Sequence, residues 1–170
     1  MKSILFSILI LSICSFSQET SQTKFEKQGV SLTYSKGWKI TYEENLEDQG
    51  YYLSIEKDGL NSSGIITLSW INRELDLNNW ITIYKNELRN DINFSNSNLR
   101  FAKESRDKFN TINTMSVKFT ASIHGLKHEG IIHFFYENNK AFAIIKHEAI
   151  EDKTKNKDGF ELIERSFTIK

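Results

Sequence analysis

From Met115 to Ile150 the sequence lays down three long stretches of strand character, separated by the two-residue turn signals His124-Gly125 and Asn138-Asn139. This pattern leaves little freedom. A two-residue hairpin fixes the register, and a slip of one residue would turn every side chain to the opposite face. Met115 to Ile123, Leu126 to Glu137 and Lys140 to Ile150 therefore read as an antiparallel meander in which Phe135 faces Phe142, His133 faces Ile144, Gly130 faces His147 and Glu129 faces Glu148. One face collects Val117, Phe119, Ile132, Phe134, Ala143 and Ile145; the other collects Ile131, Phe135, Phe142 and Ile144. A sheet that is apolar on both faces needs covering on both. The expected fold class is α+β, an antiparallel β-sheet flanked by helices on both faces.

Two helices are available to cover it. Leu77, Trp80, Ile81, Tyr84, Leu88 and Ile92 recur at three- and four-residue steps, the stripe of an amphipathic helix. Asp76 stands where an N-cap belongs, and Leu75 and Trp80 have the spacing of a hydrophobic staple. Near the C-terminus, Asp158 and Glu161 form a capping-box pattern ahead of Phe160, Ile163 and Phe167, predicting a short helix after a lysine-rich loop from Glu151 to Lys157.

Short strands precede the main helix. Lys24 to Lys27 and Val30 to Tyr34 flank Gln28-Gly29, Trp38, Ile40 and Tyr42 continue the alternation, and Tyr51, Leu53 and Ile55 share a face. Asp58-Gly59 and Asn61 to Gly64 are turn chemistry before an apolar strand from Ile65 to Trp70. Another strand is expected around Leu99 to Lys108, with a loop from Asn110 to Thr114. Proline is absent from the chain, so these boundaries rest on Gly, Asn and Asp alone.

The N-terminus speaks to location. Lys2 precedes an apolar run from Ile4 to Cys14, and Ser15-Phe16-Ser17 puts small residues at the minus-three and minus-one positions of a cut before Gln18, the pattern of a secretory signal. The run is about half the roughly 20 residues that span a bilayer, so no transmembrane segment is expected in the mature chain. Leu11-Ser12-Ile13-Cys14 also resembles a lipobox, with bulky Ile13 where Gly, Ala or Ser is usual. Lipidation at Cys14, with a lipid anchor in the envelope, is therefore the minority reading beside release into the periplasm or the medium. The expected organisation is a signal peptide over 1–17, a flexible leader over 18–23 and a single domain over 24–170.

Removal of the signal discards the only cysteine, leaving no disulfide and a domain held by its core. It also takes Lys2 from a balance of 22 basic and 22 acidic residues, for a formal net charge of minus one. Such neutrality gives no electrostatic reason to expect nucleic acid as a partner.

The segment from Gly29 to Ile40, GVSLTYSKGWKI, resembles the opening strand and tryptophan turn of PsbP-like and DcrB-like domains, with Ser35 where that family usually has proline. Phe160 to Phe167, FELIERSF, is similar to their closing helix. The resemblance covers Phe25 to Ile169 in element order. It implies a PsbP-like α/β/α sandwich that binds rather than catalyses. Members include an extrinsic subunit of photosystem II, the Ran-binding Mog proteins and chaperones of type VI secretion effectors, which share no catalytic residues. On this reading the chain is a non-enzymatic exported accessory module of the bacterial envelope, with a protein or small ligand as partner and no cofactor.

Candidate chemistry is sparse. His128 and His147 share a face of the meander on a diagonal, while His133 points the other way; two ligands fall short of the three or four that zinc needs. The bland reading is two partly exposed histidines, and the alternative is a small metal-binding envelope protein or enzyme built on them. Glu129 and Glu148 sit opposite each other, with Lys146 diagonal to Glu129 and able to neutralise the pair. No Gly-x-Ser-x-Gly elbow and no phosphate loop is present. Tyr51-Tyr52 is the weak candidate for ligand binding, because adjacent strand residues face opposite ways and one of them can escape the core.

Overall fold

The structure is a computed structural model that describes residues 21–59, 62–92 and 94–170; the signal and Cys14 lie outside them. The described chain is mostly antiparallel β-sheet with two α-helices. The meander forms as its turns dictate, with β8 (Ile112–Ile123), β9 (Leu126–Glu137) and β10 (Lys140–Ala149). Its register places Phe142 opposite Phe135, Ile144 opposite His133, His147 opposite Gly130 and Glu148 opposite Glu129. Both turns take positive φ at both central residues, 51° and 82° at His124 and Gly125, 49° and 60° at Asn138 and Asn139, the geometry that matches strand twist.

Around this meander the sheet extends in both directions. β3 (Trp38–Asn45), β4 (Gly50–Lys57) and β5 (Ile65–Ile71) join through the β5–β10 pair. On the far edge, β6 (Arg100–Phe101) and β7 (Ser105–Phe109) follow one another along β8, completing eight strands. The single strand expected from Leu99 to Lys108 is thus two, and the expected loop from Asn110 to Thr114 shrinks to a tight turn, with Asn110 at φ 53°.

A second, three-stranded sheet orders β1 (Gln22–Lys27), β2 (Val30–Ser35) and β11 (Thr168–Ile169). β1 starts two residues before the strand that the sequence suggests, next to Ser21, whose carbonyl accepts the Lys36 N–H. β2 and β11, early and late in the sequence, are tied together here: Ser31 Oγ lies 2.8 Å from Thr168 Oγ1, and the Lys170 N–H donates to the Gly29 carbonyl.

Helix α1 (Leu77–Asn90) is capped by Asp76, whose carboxylate accepts the Asn79 N–H at 2.9 Å, a contact worth about 1 kcal/mol. It buries Trp80, Ile81, Tyr84 and Leu88 in a cluster with Val117, Phe119, Ile132, Phe134, Ala143 and Ile145. Ile92, expected in its stripe, lies beyond the helix end and is 85% exposed. The second cluster joins Tyr51, Leu53, Ile55, Ile66, Leu68, Trp70, Phe142 and Ile144 to Phe25, Val30 and Leu32 of the small sheet and to Phe160, Ile163 and Phe167.

Helix α2 (Lys153–Ser166) begins five residues before the expected capping box, so Asp158 lies inside it. Its inward stripe runs Asn156, Gly159, Phe160 and Ile163, a continuous helical period whose first two members are not apolar and so read as loop. Both are small or polar for a packing reason. Trp38 lies on the Gly159 backbone, where a Cβ would come within 2.1 Å of its Nε1, and Trp38 meets Phe160 edge-on at 5.1 Å. The tryptophan turn and the closing helix, far apart in sequence, are packed against each other.

Candidate functional site

Polar side chains interrupt one apolar sheet face near the far end of the meander. In one cross-strand row Lys118, Ile131 and Lys146 are neighbours; in the next, Thr120, Glu129 and Glu148. Lys153 and Phe160 of α2 stand beside these rows, and together they line a groove of about 380 Å³. On the reverse side of the sheet a Cβ at Gly130 would lie 2.2 Å from Phe119 Cζ, so the ring of Phe119 covers the backbone behind the groove.

The charges in the groove are mostly paired. Lys146 Nζ reaches Glu164 Oε2 at 2.5 Å, and Lys153 Nζ reaches Glu129 Oε1 at 2.5 Å. This corrects the expected partner of Glu129: α2 supplies a lysine to Glu129 and draws Lys146 away to Glu164. Glu148 accepts the Asn156 side-chain N–H at 3.0 Å. Burial pushes its carboxyl above the usual range, the neighbouring Glu129 adding to the effect and the Asn156 hydrogen bond opposing it. Asn156 is fully buried and its Oδ1 has no hydrogen-bond partner. Lys118 and Thr120 remain open to solvent.

The opposite face of the same strands carries the two histidines. His128 Nδ1 and His147 Nε2 lie 3.0 Å apart, and each residue is only 8% exposed. They are buried where the sequence suggested partial exposure. The segment after α1 folds over this end, held by the Ser122 N–H donating to the Ser97 carbonyl, and lays Phe94 at 5.5 Å from the His147 ring; Phe119 is at 5.6 Å on β8. Burial first, then the charge of His128, brings His147 down to about 4; burial likewise lowers His128. Among the described residues no group of three or more His, Cys, Asp or Glu converges on a metal position.

His133 points to the other face, as its register predicts, and is buried with Nδ1 3.0 Å from Thr114 Oγ1. Tyr51 offers no open platform: it stacks on Trp70 at 4.8 Å and its hydroxyl donates to Glu43. Tyr52 is half-buried and meets Tyr42 edge-on at 5.5 Å, leaving Tyr42 as the exposed ring of that pair. Of the groove residues, Phe160 was read only as part of a helix stripe, and Lys118, Thr120 and Lys153 were not singled out by sequence. Lys118 and Thr120 belong to the polar half of an ordinary period-two pattern running from Thr114 to Ser122, so nothing in β8 set them apart.

Among the described residues no helix is long and apolar enough to cross a membrane. Neither a protein-family model nor a curated protein matches the chain. Solved structures do. The solution structure of cyanobacterial PsbP (CyanoP) from Synechocystis sp. PCC 6803 is similar with a TM-score of 0.60 at 10% identity, over 94% of this chain and 99% of that one. The crystal structure of LpqN, involved in cell envelope biogenesis of Mycobacterium tuberculosis, is similar with a TM-score of 0.53 at 14% identity, over 89% and 91% of the two chains. The chain thus has a PsbP-like fold.

Proposed function

We propose that this PsbP-like domain is a non-catalytic accessory module of the bacterial envelope, exported by its N-terminal signal, with α1 and α2 on opposite faces of the sheet and a partner or small ligand held in the groove beside α2. The observation that carries this reading is the groove itself: a concave break in an apolar sheet face, lined by lysines and glutamates around Ile131 and Phe160. Lys146 and Lys153 are held in ion pairs with Glu164 and Glu129, and Glu148 is bonded to Asn156, which favours binding over chemistry. The involvement of LpqN in cell envelope biogenesis supports an envelope setting.

Photo-crosslinking in envelope extracts tests the reading. A photoreactive side chain at Thr120 is expected to give a discrete adduct that the same group at Asn86, on the outer face of α1, does not. Identical adducts at both positions, or none at Thr120, would reject the groove as the contact surface.

Location has its own measurement. Mass spectrometry of the processed protein is expected to find an N-terminus at Gln18. A chain beginning at an acylated Cys14 would instead make the module a lipoprotein held at a membrane surface.

A further inference from the structure

We propose that the facing nitrogens of His128 and His147 form a two-coordinate site for a soft monovalent d10 cation, Cu(I) or its congener Ag(I). In an N–H···N hydrogen bond the donated proton lies near the line between the nitrogens, and the acceptor lone pair points along it. Nδ1 of His128 and Nε2 of His147, 3.0 Å apart, are held in that relation. A metal replacing the proton has one donor on each side. Metal–imidazole bonds of about 2 Å require the nitrogens to part by about 1 Å.

The surroundings select the ion. The cross-strand neighbours of His128 are Ala121 and Ala149, both small, while the space over Gly130 beside His147 is taken by the Phe119 ring. Zn(II) and Cu(II) need three or more protein donors, and no third His, Cys, Asp or Glu converges here among the described residues. The rings of Phe94 and Phe119 beside His147 exclude water and favour a weakly hydrated cation of single charge over a strongly hydrated divalent one. On the side of His128, Asp152 and Glu151 supply a negative field, opposed by His124 only when that residue is protonated.

The proton balance is simple. In the neutral pair one facing nitrogen carries hydrogen and the other a lone pair. On binding, the donor ring moves its proton to its other nitrogen, so two neutral imidazoles face the metal, no proton is released and no electron is transferred. Affinity is therefore expected not to change with pH while both imidazoles are neutral.

Silver is the probe, because it needs no reductant, and Cys14 is replaced (Cys14→Ser) in the full chain so that its thiol cannot compete. Calorimetric titration with silver nitrate in chloride-free buffer is expected to show one Ag(I) per chain. Binding weakens by about a hundredfold or more in His128→Gln and in His147→Gln, and is unchanged in His133→Gln. Zinc under the same conditions binds weakly or not at all. Should the histidine variants fail to fold, imidazole nitrogen resonances of the Cys14→Ser chain decide the matter: Nδ1 of His128 and Nε2 of His147 must shift with one equivalent of silver. No binding, binding retained in both variants, zinc binding of equal strength, or shifts confined to His124 or His133 would each overturn the site.

Discussion

Replacing Trp38 by alanine is expected to cost the domain about 3–5 kcal/mol, the range for emptying a buried tryptophan site. The indole is buried between the Gly159 backbone, Phe160 and Gly64, with Lys57 Nζ 5.8 Å from the ring centre. The same contact fixes the outcome at its partner. By intrinsic propensity Gly159→Ala, inside α2, would stabilise the helix by about 1 kcal/mol. Packing opposes this, because the new Cβ would sit 2.1 Å from Trp38 Nε1 and 2.3 Å from Cε2, and overpacking of this kind typically costs about 1–3 kcal/mol. Loss is therefore expected in the native background, and gain once Trp38 is already alanine. Urea denaturation of the two single variants and the double variant measures the reversal directly. If Gly159→Ala is stabilising with Trp38 in place, the close approach of α2 to the tryptophan turn is wrong.

The second large effect is acid sensitivity centred on His133. Burial foremost, with the ammonium of Lys146 adding to it, brings this imidazole down to about 4, while Asp107 on β7 and Glu164 on α2 pull the other way. Thr114 on β8 is its hydrogen-bond partner and Phe109 packs at 5.4 Å. In the unfolded chain the same group titrates near 6.5. Between those values the unfolded chain binds a proton that the folded one refuses, so stability falls as pH drops from about 6.5 to 4 and the effect levels off below. Above 6.5 the group contributes no slope. The shift corresponds to a loss on the order of 3 kcal/mol. Stability measured by denaturant at pH 7, 5.5 and 4.5 is expected to decline less steeply in His133→Gln than in the parent. The slope is reduced rather than abolished, since His147 is also held near 4. Equal slopes would mean that His133 is protonated in the folded protein as readily as in water.

What could be read from the chain follows the range of the forces that set it. The meander was legible because its two-residue turns and period-two pattern are local, and every register pair they imply is formed. Helix α1 was legible from Asp76 and one apolar stripe. The start of α2 was hidden because Asn156 and Gly159 occupy buried positions where apolar residues announce a helix; Trp38, more than a hundred residues earlier, leaves no room for a side chain at Gly159, and Asn156 packs against Gly64 and bonds Glu148. β11, only two residues long, has no periodicity to read and exists through its pairing with β2. The candidate sites divide the same way. Register placed His128 and His147 on one face, yet their burial depends on Phe94 folding across from the segment after α1. The groove depends on where α2 lies, which no pattern in Lys153 or Phe160 reveals alone.

The pairing of β2 with both β1 and β11 in the small sheet joins distant parts of the sequence. Phe25, Val30 and Leu32 share their core with Phe167, and Lys170 pairs with Glu26 across nearly the whole sequence. Contacts of such separation form only after the last residues are free to move, and they are slow because a long loop must close first. Before α2 and β11 exist, the hairpin of β1 and β2 can pack on Tyr51 of β4 but lacks Phe167 and its strand partner β11. The small sheet is therefore expected to be among the last parts of the domain to close.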